Sequence, residues 1–228
     1  MVCLQGTASA WMAANEIKLS TLIISILGIT AIEIAARMLL SRNLLSPLTG
    51  LGLARLAQIV FLLSLIKLRE KHFSIIGLSS SRIYRGLKRG FIWSISFGVA
   101  AGAVLLISHL LGIKVASLFR MQLPAESKRL ITFLLVGALI GPVAEEIFFR
   151  GILYGFFRRW GIPAAVLLST FLFILPHSHT AGLAIPITQL IGGILFAIAY
   201  EIEKNLLVPI TIHSLGNLAI FILGLLFF

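Results

Sequence analysis

The feature that most constrains this chain is a succession of apolar runs, each close to the length needed to cross a bilayer. Leu19–Leu40, Leu48–Ile66, Phe91–Leu111, Leu130–Phe157, Pro163–Leu175, Leu183–Tyr200 and Leu206–Phe228 carry few charges, and short polar stretches separate them. A hydrocarbon core about 30 Å thick takes roughly 20 residues of helix. Inside it only helices or closed barrels satisfy their own backbone hydrogen bonds. The predicted fold is therefore all-α, a polytopic transmembrane bundle of about seven to eight membrane helices. Composition points the same way: 59% of the 228 residues are hydrophobic and 12% are charged, where a soluble domain carries about 25% charged residues. Mean hydropathy is +1.06.

A net charge of +11 would suit a nucleic-acid partner, but the basic residues gather at the ends of apolar runs. That pattern belongs to loops facing anionic lipid. The expected partner is the lipid bilayer, with no nucleic acid, and the expected location is integral and multi-pass. The stretch Lys67–Arg89, with Arg82, Arg85, Lys88 and Arg89 in its second half, predicts a cytoplasmic face by the positive-inside rule. Simple alternation then puts the N-terminus and the Arg158–Arg159 turn on that face too, although the loop Lys114–Arg129 on the other side is also basic. The chain divides into a tail (1–18), N-terminal helices with basic loops (19–129) and a C-terminal helical core (130–228). The lone Cys3 can make no internal disulfide, and the first apolar run is long for a cleavable signal.

Ionisable residues inside a membrane segment are costly and mark function by default. Glu33 has a plausible partner in Arg37 at i+4. Glu145, Glu146 and Arg150 lie deep in the fourth run. Glu146 and Arg150 are spaced i, i+4 and share a helix face, whereas Glu145 is rotated about 100° away. The pair Glu146–Arg150 reads as a brace, with Glu145 offered to a cavity. Phe173 and His177 are also i, i+4, as are His213 and Asn217 on the last helix. Glu145 lies fifteen residues before Trp160 and His177 seventeen after it, so both sit about 22–26 Å from that turn on adjacent antiparallel helices. If the turn at Asn205 shares that face, a modest offset or an unwinding near Pro209 would bring Asn217 within reach.

Such a set can hydrolyse an acyl bond. A carboxylate with a neighbouring imidazole, Glu145 with His177, can deprotonate a water. His213 and Asn217 carry the groups needed to stabilise an oxyanion. No cofactor is then required. A zinc reading also fits the residue types, with Glu145, His177 and His213 as ligands and an open fourth position, although no H-E-x-x-H motif is present. A buried Glu and His can also serve a transporter or proton relay, and the same helices can form a binding protein without catalysis.

Three segments resemble one family. Glu145-Glu146-Ile147-Phe148-Phe149-Arg150 looks like E-E-x-x-x-R, Phe173-Ile174-Leu175-Pro176-His177 like F-x-x-x-H, and His213-Ser214-Leu215-Gly216-Asn217 like H-x-x-x-N. In that order they resemble the CPBP family: type II CAAX prenyl endopeptidases and bacteriocin-processing or immunity-related membrane proteins. The resemblance spans about Leu130 to Ile220. It implies a glutamic-type intramembrane peptidase, historically described as a metalloendopeptidase. Glu145 and His177 would activate water, His213 and Asn217 would hold the oxyanion, and Glu146, Arg150 and Phe173 would support them. The implied substrate is a peptide or protein, lipidated or bearing a C-terminal sorting segment, cut near its C-terminus or beside the membrane. A bacteriocin-immunity or scaffold role without catalysis is the family's other branch. Pro176 and His179 depart from the usual second motif: Pro176 predicts a kink, and His179 could substitute for His177. The compact size suggests a prokaryotic plasma membrane.

Overall fold

A computed structural model describes residues 16–113, 123–178 and 186–227. His179, Cys3 and most of the loop Lys114–Arg129 lie outside the described residues. Within them are seven helices: α1 (Leu19–Ser41), α2 (Pro47–Arg69), α3 (Ile83–Leu110), α4 (Ser127–Trp160), α5 (Ile162–Ser178), α6 (Ile187–Glu203) and α7 (Leu207–Phe227). Five helical stretches are long and apolar enough to cross a membrane, those of α1, α2, α3, α4 and α7, and α5 is a shorter apolar helix. The chain is a helical membrane bundle.

Boundaries follow local chemistry. Ser46 caps α2, its Oγ accepting from the Thr49 N–H at 3.2 Å, and Pro47 opens the helix where a missing N–H costs nothing. Gly161, at φ +101°, makes the turn from α4 to α5, a conformation that glycine alone adopts freely. Lys67–Arg89 is more ordered than a loop. α2 runs on to Arg69, two single-turn 3₁₀ helices follow, and α3 starts at Ile83, eight residues before the apolar run.

α4 is the hub, touching α1, α2, α5, α6 and α7. α1 lies on α2, α5 on α6, and α3 along α7. Lipid tails are as apolar as leucine, so helices in a bilayer associate through close packing and polar contacts. Both operate here. Gly86 and Gly90, i and i+4 on α3, face Asn205 and Thr211 so closely that a Cβ would stand 2.6 and 2.5 Å from their side chains. Gly98 and Gly102, two turns further on, have nothing within 4 Å.

Polar contacts collect at one end. Lys18 bonds to the Arg69 carbonyl, Arg159 to the Ile17 carbonyl and Arg158 to Glu201, while Arg82 reaches the Lys204 carbonyl. The starts of α1 and α3, the ends of α2 and α4 and the α6–α7 turn therefore share this basic end, so the Trp160 and Asn205 turns lie on one face. Between helices there, burial lowers the pKa of Lys204 and Glu201 opposes the shift.

Two expectations are corrected. Glu33 pairs with Arg55 at 2.6 Å and accepts from Gln58 at 2.8 Å, both on α2, rather than with Arg37. A partner on the neighbouring helix brings a second hydrogen-bond donor with it, which satisfies more of the carboxylate. Of the two routes for Asn217, unwinding near Pro209 is not taken: the residue sits in the first turn of α7, where helix backbones tolerate proline. Pro176 lies inside α5, and the helix continues to Ser178.

Gly90→Leu should force α3 off α7 and lower the melting temperature in detergent, by the about 1–3 kcal/mol typical of overpacking. Gly98→Leu should leave it within a degree or two of wild type. Equal melting temperatures for the two variants would refute the close contact.

Candidate active site

α4 is not a uniform α-helix. Val136–Ile140 and Ile147–Tyr154 are π-helical and bracket an α-helical turn, Gly141–Glu146. Such wide turns are rare and concentrate at functional sites. Pro142 accounts for the first. In that turn the Gly141 N–H bonds to the Val136 carbonyl, five residues back. The same pattern would pair residue 142 with the Gly137 carbonyl, but proline has no N–H to give. The Asn217 side chain from α7 supplies the missing donor, its Nδ2 lying 2.8 Å from that carbonyl.

The first motif begins at the end of this turn. Glu146 and Arg150 are wholly buried, and Arg150 Nη1 lies 2.9 Å from Glu146 Oε1. Arg150 Nη2 donates to the Gly193 carbonyl on α6 at 3.1 Å. Its guanidinium also lies against two rings, 4.6 Å from the Phe173 centroid and 5.2 Å from that of Phe196. Cation–π contacts of this kind strengthen when water is excluded. The Cβ absent at Gly193 would stand 2.8 Å from Thr170, so glycine is what lets the carbonyl-bearing backbone of α6 close on α5.

His213 joins the pair from α7. Its Nδ1 lies 2.8 Å from Glu146 Oε1, and its Nε2 lies 3.8 Å from Glu145 Oε2. The ring stacks on Phe196 at 4.6 Å and meets the edge of Phe173 at 5.8 Å. Because Glu146 already pairs with Arg150, its Oε1 accepts and Nδ1 donates. That leaves Nε2 turned toward Glu145. The Glu145 side chain is one-fifth exposed where Glu146 is not exposed at all, so the adjacent carboxylates occupy different environments. A gap of 3.8 Å between two polar atoms is too long for a direct bond and suits a bridging water.

His177 reaches the cluster through Phe173. Its ring lies 5.1 Å from that of Phe173, and Nδ1 donates to the Phe173 backbone carbonyl at 2.9 Å. In a neutral ring this leaves Nε2 as the acceptor. Phe173 is thus central, touching Phe149, Arg150, His177, Phe196 and His213. The structure brings Glu145, Glu146, Arg150, Phe173, His177 and His213 into one connected group, with Asn217 one turn along α7 and engaged with α4.

The zinc set does not form a cradle. Among the described residues no group of three or more His, Cys, Asp and Glu side chains is arranged to hold a metal ion. Sequence reasoning missed Phe196 and the Gly193 carbonyl. The Gly192-Gly193 pair inside an apolar helix was the available signal for close approach there.

Comparison with known proteins agrees with the motif order. The type II CAAX prenyl endopeptidase Rce1-like family matches residues 127–219. "Putative membrane peptidase YdiL" of Bacillus subtilis (strain 168) is 30% identical over 93 residues, 40% of this chain and 37% of that protein. The chain thus spans just over a third of the length of that relative. No solved structure matches at comparable significance. The match ends within two residues of Asn217 and includes all three motifs, so α4 to α7 as far as residue 219 are similar to that family.

Proposed function

We propose that the chain is an intramembrane endopeptidase that hydrolyses a peptide bond with a water activated by glutamate and histidine. The observation that carries this reading is the fixed position of His213 between two inequivalent glutamates, Nδ1 on buried Glu146 and Nε2 facing Glu145. Its first part, peptidase activity, is supported by the family match and by the name of the Bacillus relative.

The reaction assigns Glu145 as general base, taking a proton from water as the hydroxide adds to the scissile carbonyl carbon. His177, its Nε2 left as an acceptor, helps to orient that water. The carbonyl electrons move onto oxygen, and donors aimed at this oxyanion lower the barrier. His213 Nε2 and the second N–H of the Asn217 amide are the assigned donors. For that task His213 must carry hydrogen on both ring nitrogens, working as imidazolium. Collapse of the intermediate breaks the C–N bond, and Glu145 returns its proton to the leaving amine. Glu146 and Arg150 hold His213 in place. The mechanism needs no metal and no covalent acyl-enzyme. The substrate class is a membrane-associated peptide or protein, lipidated or with a C-terminal sorting segment, and the setting is a prokaryotic plasma membrane, consistent with the Bacillus relative.

Cleavage of membrane-associated peptides by the purified protein in detergent tests this. Glu145→Gln and His213→Ala should each lower the rate on the order of 10²–10⁴-fold, with a strong zinc chelator leaving wild-type cleavage unchanged. Loss of activity to chelator and its return with zinc would overturn the metal-free mechanism. Cleavage undiminished in Glu145→Gln would overturn the site.

Arg150→Met should act differently. It strands the Glu146 carboxylate in a buried position, at a cost of about 3–5 kcal/mol, and should lower the melting temperature sharply in wild-type and Glu145→Gln backgrounds alike. A fully stable Arg150→Met protein would show that the ion pair is dispensable to the fold.

A further inference from the structure

We propose that the cavity between the start of α3 and the α6–α7 turn binds phosphate, and that its natural occupant is the headgroup of an anionic lipid. Arg85, Gly86 and Arg89 share one face of α3, and Arg82 is the residue that caps its start. With Glu203, Asn205 and Val208 they line a cavity of about 90 Å³. At about 30 Å³ per water it has room for roughly three water molecules, the size of one tetrahedral oxyanion.

Its charge is unbalanced. Three guanidinium groups face one carboxylate, a local excess of two positive charges (three minus one). Glu203 is already engaged by Arg89, whose Nε donates at 2.8 Å, and by Trp93, whose Nε1 donates at 3.0 Å. Arg82 makes one long bond, 3.3 Å, to the Lys204 carbonyl. Asn205 is spent on structure: its amide donates to the Arg82 carbonyl and its Oδ1 accepts from the Leu207 N–H. Glu203 therefore neutralises one arginine fully, and Arg82 and Arg85 are left for an outside anion. Guanidinium forks match the geometry of phosphate oxygens, and the positive end of the 21-residue helix α7 adds to the field.

A lipid source follows from the surroundings. The cavity opens at the basic end of the bundle, where membrane helices meet the headgroups. On the same turns of α3, Ile83, Tyr84, Leu87 and Phe91 are exposed and offer an apolar wall to acyl chains. The positive-inside rule explains why basic residues gather at this depth. It does not explain why three of them, half-buried Arg82 and Arg89 and exposed Arg85, line one cavity against the α6–α7 turn. Lys88, on the same helix at the same depth, does not line the cavity and serves as the contrast.

The test measures thermal unfolding of the full chain in neutral detergent against added short-chain phosphatidylglycerol, phosphatidylcholine or inorganic phosphate. Phosphatidylglycerol should raise the wild-type melting temperature at concentrations where phosphatidylcholine does not. The double variant Arg82→Gln/Arg85→Gln should need roughly thirtyfold more of it for the same rise. Lys88→Gln should behave as wild type. Should the double variant fail to fold, Arg85→Gln alone should show an intermediate loss. A matching response to inorganic phosphate at the same concentrations, with the same sensitivity to the variants, would keep the phosphate site and overturn the lipid assignment. An equal loss in Lys88→Gln, an undiminished response in the arginine variants, or no response in wild type would overturn the proposal.

Discussion

The half of the bundle that carries the three motifs depends on one buried ion pair. Burying a carboxylate and a guanidinium inside a membrane protein costs more than their mutual attraction alone returns, unless further hydrogen bonds serve the remaining atoms. Here those bonds come from other helices. Arg150 takes the Gly193 carbonyl of α6 and the ring faces of Phe173 and Phe196, and Glu146 takes His213 of α7. The pair gains these bonds only when α4, α5, α6 and α7 are assembled, and even then Glu146 Oε2 and Arg150 Nε are buried with no hydrogen-bond partner. A charge that is expensive in every other arrangement selects the one in which its partners converge. That arrangement holds His213 with one nitrogen toward Glu145.

Adjacent glutamates on one helix consequently do different things. Glu146, sealed from solvent and paired twice, orders its neighbours. Glu145, partly exposed and 3.8 Å from His213 Nε2, is the carboxylate that stays open to its surroundings. The π-helical turns on either side of these residues are part of this division. Pro142 removes an N–H from the backbone ladder, and Asn217 restores the bond from a different helix. A third-motif residue is therefore tied to the backbone just before the first motif. Local backbone irregularity has become an interhelical contact.

Close packing and charge cooperate at the other end. Gly86 and Gly90 let α3 lie against the α6–α7 turn and the first turns of α7, and Arg85 and Arg89 beside them line the cavity at that contact. On α3 the glycines that dock the helix and the arginines Arg85 and Arg89 that line the basic cavity are interleaved. Any anion held there sits beside the first turn of the helix that carries His213 and Asn217.

Much of this was legible in the residues themselves. Apolar runs of bilayer length dictate helices because no other open structure satisfies its backbone in lipid, and intramembrane Glu, Arg and His stand out because nothing but function or pairing offsets their cost. The i, i+4 spacing of Glu146 and Arg150 gave their contact directly, since it is local to one helix. Contacts between helices were another matter. Glu33 chose Arg55 and Gln58 on α2 over Arg37 in its own helix, Phe196 closed over the guanidinium unannounced, and Asn217 turned to the Gly137 carbonyl. Spacing along one helix says which residues share a face, but not which face of another helix it will meet. That choice belongs to the rotation and depth of packed helices, and only the tertiary structure decides it.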